Sequence, residues 1–154
     1  MLYRPNRQRR TSRGGAAATE LGFLLLPLAM LLVLTVDFGR IFYYTSVIEA
    51  CARNGALWAC DVTGQTTSPY TNLTDAANAD AAGLSPAPTA SMAFSATVNG
   101  TYTSYASSSA AYNAGMLYVQ VTVHWSFKTI MSYWFIPSTY NLQRTVTMAM
   151  IPTS

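Results

Sequence analysis

Across residues 14–36 the chain carries one ionisable group, Glu20, with sixteen uncharged residues directly behind it. A carboxylate at the mouth of so apolar a run is costly unless it snorkels to water or meets a cation. Hydrolysis of the Gly15–Ala16 peptide bond would supply that cation, because the new α-amine on Ala16 would stand four residues before Glu20 and share its helix face. The same cut would remove Arg4, Arg7, Arg9, Arg10 and Arg13, five of the nine basic residues in the protein. This is chemistry done to the chain by another enzyme.

Few other residues offer chemistry of their own. Only 10% of the 154 residues are charged, and one histidine and two cysteines complete the reactive set. His124 falls on the polar face of an alternating segment without a second ligand at metal spacing. Asp61, Asp75 and Asp80 sit in or beside loops without a nearby His or Lys to tune them. The expectation is a protein that is no enzyme and needs neither metal nor cofactor. The formal charge of +3 suggests a nucleic-acid partner only until the charges are located. Five arginines crowd the first thirteen positions, and the remainder holds four basic against six acidic groups. A phosphate-tracking groove needs cations spread over a folded surface, so no nucleic acid is expected.

Arginines in front of an apolar run are a topology signal. Residues 21–36 would rise about 24 Å as a helix, short of the roughly 30 Å hydrocarbon core unless the Ala-rich lead-in also enters. The positive-inside bias keeps the arginines cytoplasmic and exports the remainder. The sequence therefore divides into a basic leader (1–15), a membrane-spanning segment (16–38) and an exported domain (39–154). A soluble core helix would show a polar face, and this stretch shows none. A secretory signal would end in a small-x-small cleavage site, and Asp37, Phe38, Gly39 and Arg40 offer none.

The spacing extends the helix to about Trp58, kinked at Pro27. Ile41, Tyr44, Val47, Ile48, Cys51 and Ala52 recur every three or four residues, an apolar stripe for packing on a sheet. The pairs Asp37–Arg40 and Glu49–Arg53 stand at helical ion-pair spacing. Within one straight helix Cys51 and Cys60 would lie about 13.5 Å apart along the axis, beyond disulfide reach. A bond between them requires the helix to end near residues 55–58 and turn back; free buried thiols and an intermolecular bond are the alternatives.

Further on, residues 74–83 read as a short helix capped by Thr74 and closed by Gly83, and residues 106–111 as a loop. Strands are expected over residues 91–98 and 101–105, joined by a hairpin at Asn99-Gly100. Leu117, Val119, Val121, Val123, Trp125 and Phe127 alternate as the inward face of the next strand, and Leu142, Val146, Met148 and Met150 mark the last. Between these two, residues 130–137 are too apolar for a solvated loop. Tyr133, Trp134 and Phe135 there fold into the core, touch the membrane surface or meet a partner. The fold class is α+β and pilin-like: a long N-terminal helix, membrane-spanning first and amphipathic second, on an antiparallel sheet of about four strands.

Gly15, four small residues, Glu20 and an apolar helix together resemble the type IV prepilin processing signal. The stretch from Gly15 to Ala59, with its Asp37-Phe38-Gly39-Arg40 and Ala52-Arg53-Asn54-Gly55-Ala56 steps, is similar to the N-terminal region of the TadE-like family, minor pseudopilins of the tight-adherence (Flp) pilus system. Residues 116–152 resemble that family's closing strand, apolar loop and strand more loosely. Leu21 stands where these proteins more often carry an aromatic, and TadF- and TadG-type relatives share the same amino-terminal design. The resemblance implies cleavage between Gly15 and Ala16 by a prepilin peptidase. It also implies contact with other pilins or pseudopilins, the inner-membrane assembly platform and the lipid bilayer. The protein would sit in a bacterial inner membrane, N-terminus cytoplasmic and C-terminal domain periplasmic, and pass to the pilus after processing. The competing reading is a permanently anchored periplasmic binding or adhesin module without processing.

Overall fold

The computed structural model describes residues 14–130 and 138–151. The order is α1 (Gly14–Cys60), α2 (Leu73–Ala77), β1 (Thr89–Ser95), α3 (Ser108–Asn113), β2 (Tyr118–Lys128) and β3 (Thr139–Ala149), with 3-10 turns at Gly64–Thr66 and Asn78–Asp80. The chain forms two compact units, parted between Val36 and Asp37. The first contains the apolar part of α1. Phe23 and all its leucines except Leu34 are exposed, and Pro27 lies inside the helix without ending it. A helix that is apolar all round belongs in a bilayer or inside other protein.

The second unit is α+β. Its sheet is antiparallel in the order β1-β2-β3, with Val121 opposite both Met92 and Val146. β2 is the central strand, and its alternation is carried through to burial: Val119, Val121, Val123, Trp125 and Phe127 face the core, while His124 and Ser126 are exposed. Against them packs the stripe of α1, with Ile48, Cys51, Ala52, Ala56 and Ala59 buried and Ile41, Tyr44 and Val47 at its margin. The small residues let sheet and helix approach closely. A Cβ on Gly55 would lie 3.1 Å from Val121 Cγ1 and 3.3 Å from both Ala77 Cβ and Leu73 Cδ1. The end of the helix is tied to the end of β3 by the Ile151 amide, which donates to the Cys60 carbonyl at 2.9 Å.

Five expectations need correction. Among the described residues the sheet has three strands, not about four. β1 ends at Ser95, and residues 101–105 contribute one isolated bridge, Thr103 to Phe94. The two-residue hairpin fails because its type I′ turn needs positive φ at both central residues, whereas Gly83 and Gly115 are the positive-φ glycines and no other described residue type adopts one. Asn99 and Gly100 instead close a turn in which the Gly100 amide donates to the Thr97 carbonyl. Asn72, rather than Thr74, caps α2: its side-chain oxygen accepts from the Asp75 amide. Residues 108–113, expected within a loop and its flank, form α3, capped by Ser107 accepting from Ala110. Leu117, expected inward, precedes β2 and is exposed.

Candidate functional site

Gly15, Ala16 and Glu20 occupy the first two turns of α1. Thr19 Oγ1 donates to the Ala16 carbonyl at 2.8 Å and to the Gly15 carbonyl at 3.3 Å. A Cβ on Gly15 would meet nothing within 4 Å. The fold itself makes no demand for glycine there, and a requirement for it would come from whatever reads this bond. Glu20 is exposed and makes no ion pair among the described residues. Arg4, Arg7, Arg9, Arg10 and Arg13 lie outside the described residues.

Where the apolar run ends, charges reappear in an ordered way. Asp37 is 7% exposed. Its two oxygens accept from the Ile130 amide, ninety-three positions away, at 3.3 and 3.2 Å. Arg40 Nη1 lies 3.3 Å from Asp37 Oδ1, and the Arg40 guanidinium is stacked over the Phe127 ring with Cζ 4.7 Å from its centroid. Tyr44 joins the same group, its ring centroid 5.3 Å from Phe127 and 4.8 Å from Trp125. The pair expected from helical spacing thus does more than stabilise a turn. Asp37 holds the chain as it leaves β2, and Arg40 covers the aromatic end of the core. Helical spacing had no means of finding the Ile130 contact; the one clue was a carboxylate placed directly after an apolar run, where it must find a donor.

The other polar groups have local duties. Asp61 accepts from the Gly64 amide at 2.7 Å, and Asp80 from Asn54 Nδ2 at 2.7 Å; both line an open cleft of about 470 Å³ beside Trp58 and Tyr70. Glu49 and Arg53 form their expected pair at 3.6 Å on the exposed face of α1. Cys51 and Cys60 are free and buried. The helix runs unbroken through both, which keeps them too far apart to bond, so the pairing that required the helix to turn back does not form. Burial pushes both thiols up from their ordinary value, aided by Asp80 at Cys51 and by Asp61 at Cys60. Tyr133, Trp134 and Phe135 lie outside the described residues.

Residues 15–57, which are α1 almost entire, match the family model of the TadE-like proteins. This is the family that the Gly15-to-Ala59 stretch resembles, and the match associates the chain with assembly of the tight-adherence pilus. No curated protein and no solved structure matches the chain. The apolar helix is long enough to cross a bilayer once, as a single-pass membrane protein requires.

Proposed function

We propose that the protein is a processed minor pseudopilin of a tight-adherence (Flp-type) pilus, with a structural role in pilus assembly and adhesion and no catalysis of its own. The observation that carries this reading is the TadE-like match, over residues 15–57, on a helix that contains the Gly15–Ala16 bond and is apolar behind Glu20. A prepilin peptidase adds water across that bond, leaving a carboxylate on Gly15 and an ammonium on Ala16. The arginines that hold the N-terminus in the cytoplasm depart with the leader. The freed ammonium stands one turn from Glu20, in its own chain or a neighbour's, and neutralises it as the helix leaves lipid for a bundle of pilin helices. The exported domain, periplasmic in this reading, meets the assembly platform and other pilins.

Substitution of Gly15 tests the proposal against permanent anchoring. Since a side chain there has open space, Gly15→Val leaves folding alone. In the native host it is expected to leave the full-length chain unprocessed, seen as slower gel migration, and to deplete the protein from sheared pili. Normal maturation of Gly15→Val would favour the anchored module.

A further inference from the structure

The two turns of α1 that follow the apolar run have their polarity inverted relative to a water-soluble helix. In water, charges face out and aromatics face in. Across residues 37–43 the charges face in: Asp37 is buried on the Ile130 amide and Arg40 is folded over Phe127. The aromatics face out, with Phe38 59% exposed, Phe42 72% and Tyr43 65%. The reversal ends abruptly. One turn later the outward positions are Ser46, Glu49 and Arg53, the last two paired with each other in the open.

We infer that residues 38–43 lie in the headgroup and acyl boundary of the bilayer, with Phe38, Phe42 and Tyr43 as an interfacial aromatic belt and water beginning near Ser46. Lipid is the occupant of this face for three reasons. The exposed residues of this stretch, Phe38, Gly39, Phe42 and Tyr43, are uncharged and follow the uncharged run of residues 21–36 along the same helix. About twenty residues of helix, within a range of about 17–25, cross the hydrocarbon, and the membrane-spanning segment of residues 16–38 uses them up at Phe38. Aromatic side chains concentrate at this depth because their rings are apolar and their edges tolerate the headgroups. The inward turn of Asp37 and Arg40 then has a cause: at the edge of the hydrocarbon, a charge is stable only with partners of its own. The exported domain is therefore seated on the membrane by its first two helical turns, not suspended above it. Ile130, more than half exposed and tied to Asp37, belongs to the same seat.

This inference rests on the membrane-spanning reading, and one experiment separates the two. Single cysteines are introduced by Met30→Cys, Phe38→Cys, Phe42→Cys, Tyr43→Cys, Glu49→Cys and Arg53→Cys in the full chain. Each is labelled with a nitroxide in nanodiscs of phosphatidylethanolamine and phosphatidylglycerol; the unsubstituted chain, labelled alongside, measures background from the buried Cys51 and Cys60. Collisional relaxation by oxygen, which partitions into lipid, is compared with that by a water-soluble nickel chelate. The expected order is oxygen dominant at 30, oxygen still favoured at 38, 42 and 43, and nickel favoured at 49 and 53. Nickel access at 38, 42 and 43 equal to that at 49 and 53, with 30 still in lipid, would overturn the belt and leave the span standing. Exclusion of both relaxants from 42 and 43 would mean that protein covers the face, and would overturn lipid as its occupant. Nickel access at 30 would remove the membrane-spanning reading itself. Unchanged thermal unfolding of each labelled chain confirms that the probes report on the native fold.

Discussion

One helix passes through both units of the molecule, and its two parts solve opposite problems with the same backbone. Residues 21–36 carry large apolar side chains on every face, with no stripe and no polar relief. Residues 41–60 place small residues, Cys51, Ala52, Gly55, Ala56 and Ala59, along one stripe and polar or charged ones, Ser46, Glu49 and Arg53, on the other. The first part suits a surrounding that is uniformly apolar; the second suits a sheet on one side and water on the other. Helix propensity does not separate them. Their difference lies in what the side chains are prepared to touch, and the Asp37–Arg40 turn marks the change.

Matched substitutions in the two parts sharpen this contrast, all read as thermal unfolding of the α+β unit in the full chain in detergent. Phe127→Ala removes a fully buried ring beneath Arg40 and Tyr44 and is expected to cost about 3–5 kcal/mol. Phe23→Ala, on a ring open to the surroundings, should leave the transition where it is. If the two cost the same, the contrast is broken. Asp37→Ala strands the Ile130 amide and the Arg40 guanidinium, with an expected loss of about 1.5–3 kcal/mol for a charged acceptor. Its counterpart Glu20→Ala should leave domain unfolding unchanged and show its effect in assembly alone.

Gly55→Val drives a side chain into Val121, Leu73 and Ala77 and is expected to destabilise by about 1–3 kcal/mol, whereas Gly22→Val meets nothing within 4 Å and should be neutral for the domain. The smallest effect belongs to pH. Thiols whose folded values are raised by burial bind their protons more tightly in the native state. Their contribution is fully present below the ordinary thiol range and is lost as pH climbs through the raised folded values. Domain stability should fall in that alkaline window, and the slope should flatten in Cys51→Ala.

Much of this was legible in the sequence because it obeys a single period. The apolar run, the stripe from Ile41 to Ala52 and the strict alternation from Val119 to Phe127 each state their surroundings residue by residue. Short, weakly periodic elements were less so. α3 is built from Ser-Ser-Ala-Ala-Tyr-Asn and depends on one Ser107 cap, a signal that a Ser- and Ala-rich loop imitates. The hairpin at Asn99-Gly100 was a local promise undone by context: β1 stops at Ser95, whose carbonyl accepts from the Leu117 amide, and the chain beyond departs from the sheet. The candidate site divides in the same way. Gly15 and Glu20 are sequence features through and through, while the Asp37–Ile130 contact joins residues ninety-three positions apart and follows only from the fold.

In the proposed function the apolar part of the helix is released by a cut at the Gly15–Ala16 bond. Sequencing the amino end of the protein purified from its native host tests it most directly. Processing yields a mature chain that begins Ala16-Ala17-Ala18-Thr19-Glu20; a mature chain that still begins at Met1 would refute it.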